Sequence, residues 1–115
     1  MSEYLVLIYD DETKWLNADE KTLNKLRAEH DEFAQKNGAS LRGGNALHPT
    51  ASATSIRRDA SGDVLITDGV FIESKEALGG YYVIEAADLD AAIAIAKQVP
   101  AQFGGVEVRP IRVMD

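Results

Sequence analysis

"YLVLIY", Tyr4 to Tyr9, is an uninterrupted apolar run of β-forming residues close to the start of the chain. In a strand, Tyr4, Val6 and Ile8 alternate onto one side, and Leu5, Leu7 and Tyr9 onto the other. Neither side is polar. Such a strand is expected to be covered on both faces. Asp10, Asp11 and Glu12 then end the run.

The chain downstream supplies one cover. Asp19 is a good N-cap for a helix reaching about Asn37, and Glu20 sits early in the first turn, where the helix dipole favours an acid. Leu23, Leu26, His30, Phe33 and Ala34 fall on one stripe at helical spacing. Asn37-Gly38 is a C-cap signal. A weak strand comes next over Leu41 to Leu47, interrupted by Gly43 and Gly44. "ASATSIRRD" and "DVLIT" flank Ala60, Ser61 and Gly62 and predict a hairpin from about Thr54 to Thr67. "GYYVIEA", Gly80 to Ala86, is a further strand with little polar alternation. Asp88 caps a second helix whose inner face carries Leu89, Ala92, Ile93, Ala96 and Val99, closed by Pro100. "GVEVRPIRV" is the last strand, with Val106 and Val108 on one face and Glu107, Arg109, Ile111 and Val113 on the other.

Strand, helix, strand, hairpin, strand, helix, strand is the order of a ferredoxin-like α+β sandwich. Two helices cover one face of its sheet. The other face of Tyr4–Tyr9 and of Tyr81–Ala86 is also apolar, and no chain is left over to hide it. An identical subunit packed sheet to sheet is the simplest cover, which makes the expected assembly a homodimeric α+β barrel. Such an interface would bury roughly 1,200–2,000 Å² or more, and the chamber between two curved sheets is the expected small-molecule pocket.

The bulk properties agree with one soluble domain. The 115 residues are 45% hydrophobic and 27% charged, with a net charge of −7. That charge argues against nucleic acid and against an anionic membrane surface. The absence of cysteine excludes disulfides, thiolate metal sites and cysteine nucleophiles, and fits a cytoplasmic location. Two unclustered histidines give no metal-ligand spacing. No glycine loop stands in a strand–loop–helix context for phosphate, and no serine sits in a nucleophile elbow.

"TDGVFIESKEALGGYYVIEAADLDAAIAIAKQVP", joined through a short loop to "GGVEVRPI", resembles the YCII-related family and in particular its DGPF-type branch. Asp68, Gly69 and Phe71 match the element that names the branch. Glu73, Lys75, Glu76, Gly79, Gly80, Asp88, Leu89, Asp90 and Glu107 to Pro110 match the family's pattern downstream of that element. Val70 stands where the motif has proline, which leaves the loop an N–H and more freedom. The resemblance covers the whole of residues 1–115 as a single domain. It implies a dimeric α+β barrel, enzymes with a His–Asp pair in the pocket, and an association with extracytoplasmic-function sigma factors. Three readings stay open: a cofactor-free acid–base enzyme acting on a small molecule, a regulatory module with a sigma factor as partner, or a protein whose loop motif serves only fold and dimer.

Each candidate site residue also has a plainer role. Asp68 is either a turn residue before Gly69 or a pocket carboxylate acting as base or orienting a histidine. His48, held extended by Pro49, is the first histidine expected to meet it. His30 is the second; its place in the apolar stripe suits a core histidine with one hydrogen bond. Arg57, Phe71, Glu73, Lys75, Tyr82 and Arg109 are the expected contacts for a small polar or anionic ligand, against solvated charges and packed rings as the alternatives. Gly79 and Gly80 mark a strand bulge or a close backbone approach.

Overall fold

The computed structural model describes residues 1–72 and 74–114. Six strands and three helices succeed one another as β1 (Ser2–Asp11), α1 (Glu12–Leu16), α2 (Glu20–Lys36), β2 (Leu41–Ala46), β3 (Thr54–Arg58), β4 (Val64–Asp68), β5 (Glu76–Ala86), α3 (Leu89–Ala96) and β6 (Gly104–Pro110), with a short 3₁₀ turn at Thr50–Ser52. Four strands form an antiparallel sheet in the order β2-β5-β1-β6. With α2 and α3 as its two crossovers, this is the ferredoxin-like α+β arrangement. The hairpin β3–β4 is a separate two-stranded sheet inserted between β2 and β5.

The caps act where the sequence places them. The Asp19 carboxylate accepts the Thr22 N–H at 2.7 Å, and the Asp88 carboxylate accepts that of Ala91 at 2.8 Å. Helix α1, which the acidic run Asp10–Glu12 conceals in the sequence, starts on Asp11, whose carboxylate accepts from the Lys14 N–H.

The alternation in β1 sorts as expected. Tyr4, Val6 and Ile8 are buried with Ile84 and Ala86 of β5, Phe33 of α2, Ala92 and Ala96 of α3, and Val99. Leu5, Leu7 and Tyr9 face the other way and are only half-buried, beside Tyr81 and Val83 of β5. Among the described residues no helix covers that face. The register of β1 against β5 slips between Ile8 and Tyr9: Ile8 pairs with Gly80, but Tyr9 pairs with Leu78. Gly79 is therefore the bulged residue, as its place in a glycine pair suggests.

The hairpin is an arm. It is sewn to its own base where the Gly69 N–H donates to the Ala53 carbonyl at 2.7 Å and the Ser55 hydroxyl donates to the Gly69 carbonyl at 2.6 Å. Gly69 has φ +93°, the conformation for which the Asp68-Gly69 pair is suited. Beyond that base, Ile56, Leu65, Ile66, Phe71 and Ile72 are all more than half exposed. The molecule measures 48 × 46 × 18 Å with a radius of gyration of 16.3 Å, against about 13 Å for a compact chain of this length. No helix among the described residues is long and apolar enough to cross a membrane.

Candidate functional site

Helix α2 is held to the sheet at its C-terminal half, where Phe33 is its one buried residue among those described. Its N-terminal half stands off the sheet. The gap is a cavity of about 460 Å³, within the usual range for small-molecule sites. Leu23, Leu26 and His30 line it from the helix, Ile8 and Asp10 from β1, Gly44 to Ala46 from β2, and Ala77 to Tyr82 from β5. Trp15 of α1 and the loop Leu47–Pro49 close its rim. The cavity lies inside one chain, between helix and sheet, and not on the open sheet face where the sequence placed a chamber.

His30 is the centre of its polar end. Its Nδ1 lies 2.7 Å from the Tyr82 hydroxyl. The position of that hydroxyl is built in steps. The Tyr82 ring rests on Phe33, with centroids 4.9 Å apart. Its other neighbour is the bare backbone of Gly44, where a Cβ would come within 2.7 Å of Tyr82 Cδ1 and 2.8 Å of the Tyr81 carbonyl oxygen. Phe33 and His30 are one helical turn apart on α2 and meet the same tyrosine, the His30 and Tyr82 ring centroids lying 5.9 Å apart.

Asp10 supplies the negative charge. It continues the inward series Tyr4, Val6, Ile8 by one more step, which carries a carboxylate onto the core side of the sheet. Burial raises its pKa, opposed by the charge of His30 and by a backbone hydrogen bond involving Phe103. Burial likewise lowers the pKa of His30, opposed chiefly by the charge of Asp10. Each group is harder to charge alone than in water, and each favours the charged form of the other. Tyr82 is raised by burial and by the nearby charge of Asp31, so its hydroxyl stays protonated at neutral pH.

Glu12 holds the rim. Both its carboxylate oxygens accept hydrogen bonds from Thr50, one from the backbone N–H and one from the hydroxyl, each at 2.6 Å. That clamp ties the loop carrying His48 to the end of β1. Leu47 continues the β2–β5 pairing through its N–H to the Gly79 carbonyl at 2.8 Å.

Three of the residues singled out from sequence meet at this cavity: His30, Tyr82 and, exposed at the rim, His48. Asp68, Arg57, Phe71, Lys75 and Arg109 are not among its lining. Asp68 is exposed at the end of β4, opposite Thr54. Arg57 stacks its guanidinium 4.0 Å from the centre of the Phe71 ring on the arm. Lys75 is exposed before β5, and Arg109 lies on the open sheet face, opposite Leu5. Glu73 is outside the described residues. The acid beside His30 is thus Asp10 and not Asp68. The signal for Asp10 was its parity with Ile8; three successive acids suggested a turn and hid it. Among the described residues no three His, Cys, Asp or Glu side chains gather as a metal site.

The model of the YCII-related domain matches residues 2–115. The chain belongs to the YCII-related family. A relative, an uncharacterised protein of Rhizobium meliloti, is 35% identical over 117 residues, covering 94% of this chain and 90% of that protein. Among solved structures, the chain is similar to 5-chloro-2-hydroxyhydroquinone dehydrochlorinase (TftG) of Burkholderia phenoliruptrix AC1100, solved with 2,5-dihydroxybenzoquinone. The TM-score is 0.57 at 13% identity, over 96% of this chain and 93% of that one. At that identity the likeness is one of fold, and it agrees with the ferredoxin-like topology described above.

Proposed function

We propose that this YCII-related protein is a small-molecule enzyme that moves a proton without a bound cofactor, with His30 as the acid–base group. The observation that carries this reading is His30 in a cavity, bonded through Nδ1 to Tyr82 and biased by Asp10. When Nδ1–H donates to the Tyr82 oxygen, Nε2 holds the free lone pair and the tyrosine keeps its own proton for a ligand. Proton uptake by Nε2 creates an imidazolium whose charge Asp10 favours, which offsets part of the burial that disfavours it. The TftG fold supports a small-molecule role in general; its dehydrochlorination belongs to that protein.

The test is solvent-deuterium exchange into a panel of phenols and carbon acids. His30→Gln should reduce exchange by about 100-fold or more, with its melting temperature close to that of the parent. Equal exchange in parent and variant would remove His30 from the chemistry.

Two copies are proposed to pack through the open sheet faces in a dimeric α+β barrel. The half-buried Leu5, Leu7, Tyr9 and Val83 and the exposed apolar arm support this. The same arm is the one feature that favours a non-enzymatic interaction module, the reading in which a sigma factor would be the partner. A cytoplasmic location rests on composition alone.

A further inference from the structure

We propose that the cavity takes an uncharged ligand with an apolar, ring-sized body and a weakly acidic O–H, a phenol or enol, and discriminates against carboxylates. This rests on the acid–base reading of His30 and goes beyond it by fixing the charge and class of what binds there.

The argument starts from the charges that line the cavity. Asp10, Glu12 and Asp31 are acidic, and Arg27 is the single Lys or Arg of the lining among the described residues. Arg27 is exposed, and its guanidinium donates to the Asn24 side chain at 3.1 Å on the helix surface. Glu12 spends both oxygens on Thr50. A carboxylate entering the cavity would lose its water and meet Asp10 with no buried cation to replace that solvation. A protonated amine would pair with Asp10, yet its charge would oppose proton uptake by the neighbouring His30. An uncharged molecule avoids both costs. The walls suit its body: Ile8, Trp15, Leu23, Leu26 and Leu78 surround the polar end.

The polar end then sets the functional group. The ligand's O–H donates to the free ring nitrogen of His30, and on transfer that O–H bond breaks. Its electron pair stays on the ligand oxygen and its proton forms the new N–H. The Tyr82 hydroxyl, 2.7 Å from the other ring nitrogen, holds that nitrogen and so keeps the free one for the ligand. The imidazolium faces Asp10. Negative charge therefore appears on the ligand only when positive charge has appeared beside it, an order unavailable to a ligand that is an anion from the start.

The experiment uses three matched probes, 4-ethylphenol, 4-ethylbenzoate and 4-ethylbenzylamine, titrated into the whole protein at neutral pH by calorimetry and by NMR. The phenol should bind at least about tenfold more tightly than either charged probe, the scale expected when one unit charge is placed near another in a partly dry site. Asp31→Asn, an exposed change, should narrow the preference over the benzoate, and Arg27→Gln should widen it. Equal or tighter binding of the benzoate or the amine overturns the proposal, as does no phenol binding at millimolar concentration. The His30 ring-nitrogen shifts separate the two readings. A bound phenol that leaves them unmoved keeps the ligand class and removes the acid–base role. A benzoate that binds better while moving them keeps the acid–base role and removes the ligand class.

Discussion

At the scale of single residues, the site depends on a glycine as much as on its ionisable groups. Gly44 leaves the space in which the Tyr82 ring lies. Gly44→Ala should push that ring aside, break its hydrogen bond to His30 and cost about 1–3 kcal/mol of stability. Thermal unfolding and the His30 ring shifts report the two effects separately. His30 and Asp10 make a second prediction, read in pH. Burial holds the folded pKa of His30 below its unfolded value, which is about 6.5. The unfolded chain therefore takes up this proton first, so the histidine's contribution destabilises the fold as pH drops through that range. Asp10→Asn removes the charge that opposes the depression, and an NMR titration should find the His30 pKa lower still. A higher value would mean that the two groups do not face each other. The sequence held the information for this pair in two separate patterns. His30 lay in the helical stripe, and Asp10 lay in the β1 alternation. What it did not display was that the N-terminal half of α2 stands away from the sheet, so the same stripe that buries Phe33 leaves His30 beside a void. Asp68 drew attention because its turn motif is conspicuous locally, whereas the parity of Asp10 matters only once a helix is set above it.

At the scale of elements, the central strands and both long helices were legible because period and caps agree. Asp19 and Asp88 start the helices, and the apolar series of β1 and β5 fill the core. Helix α1 was not legible: five residues, Glu12–Leu16, carry too little periodicity to separate from a turn. Its consequence is mechanical, since α1 brings Glu12 and Trp15 to the cavity rim. Glu12→Ala should free the Thr50 loop and lower stability by about 1–3 kcal/mol, the range for losing charge-assisted hydrogen bonds and leaving their donors unpaired. Amide hydrogen exchange should rise in the loop around His48 and Thr50 while the core strands keep their protection. Unchanged exchange there would mean that the loop is held by its 3₁₀ turn alone.

At the scale of the whole molecule, the site and the proposed dimer face lie on opposite sides of one sheet. His30 and Asp10 face α2, while Leu5, Leu7 and Val83 face away from it. Leu7→Glu should therefore give a monomer in analytical ultracentrifugation and leave phenol binding intact, whereas the parent should sediment as a dimer. A monomeric parent at micromolar concentration would end the barrel proposal without touching the cavity. The two-faced hydrophobicity of "YLVLIY" was readable from the sequence; which of its two sides carries the pocket was not, because both sides of such a strand look alike until the helices are placed.

The bulge at Gly79 also bears on how such a site can diversify. Strand side chains alternate, so loss of that one codon would straighten the pairing of β1 with β5 and transfer Ala77 and Leu78 to opposite surfaces of the sheet. Tyr82 and the packed interior beyond it would keep their register. A lineage could thereby exchange the floor beneath its ligand in one mutational event, with no compensating change demanded of the core.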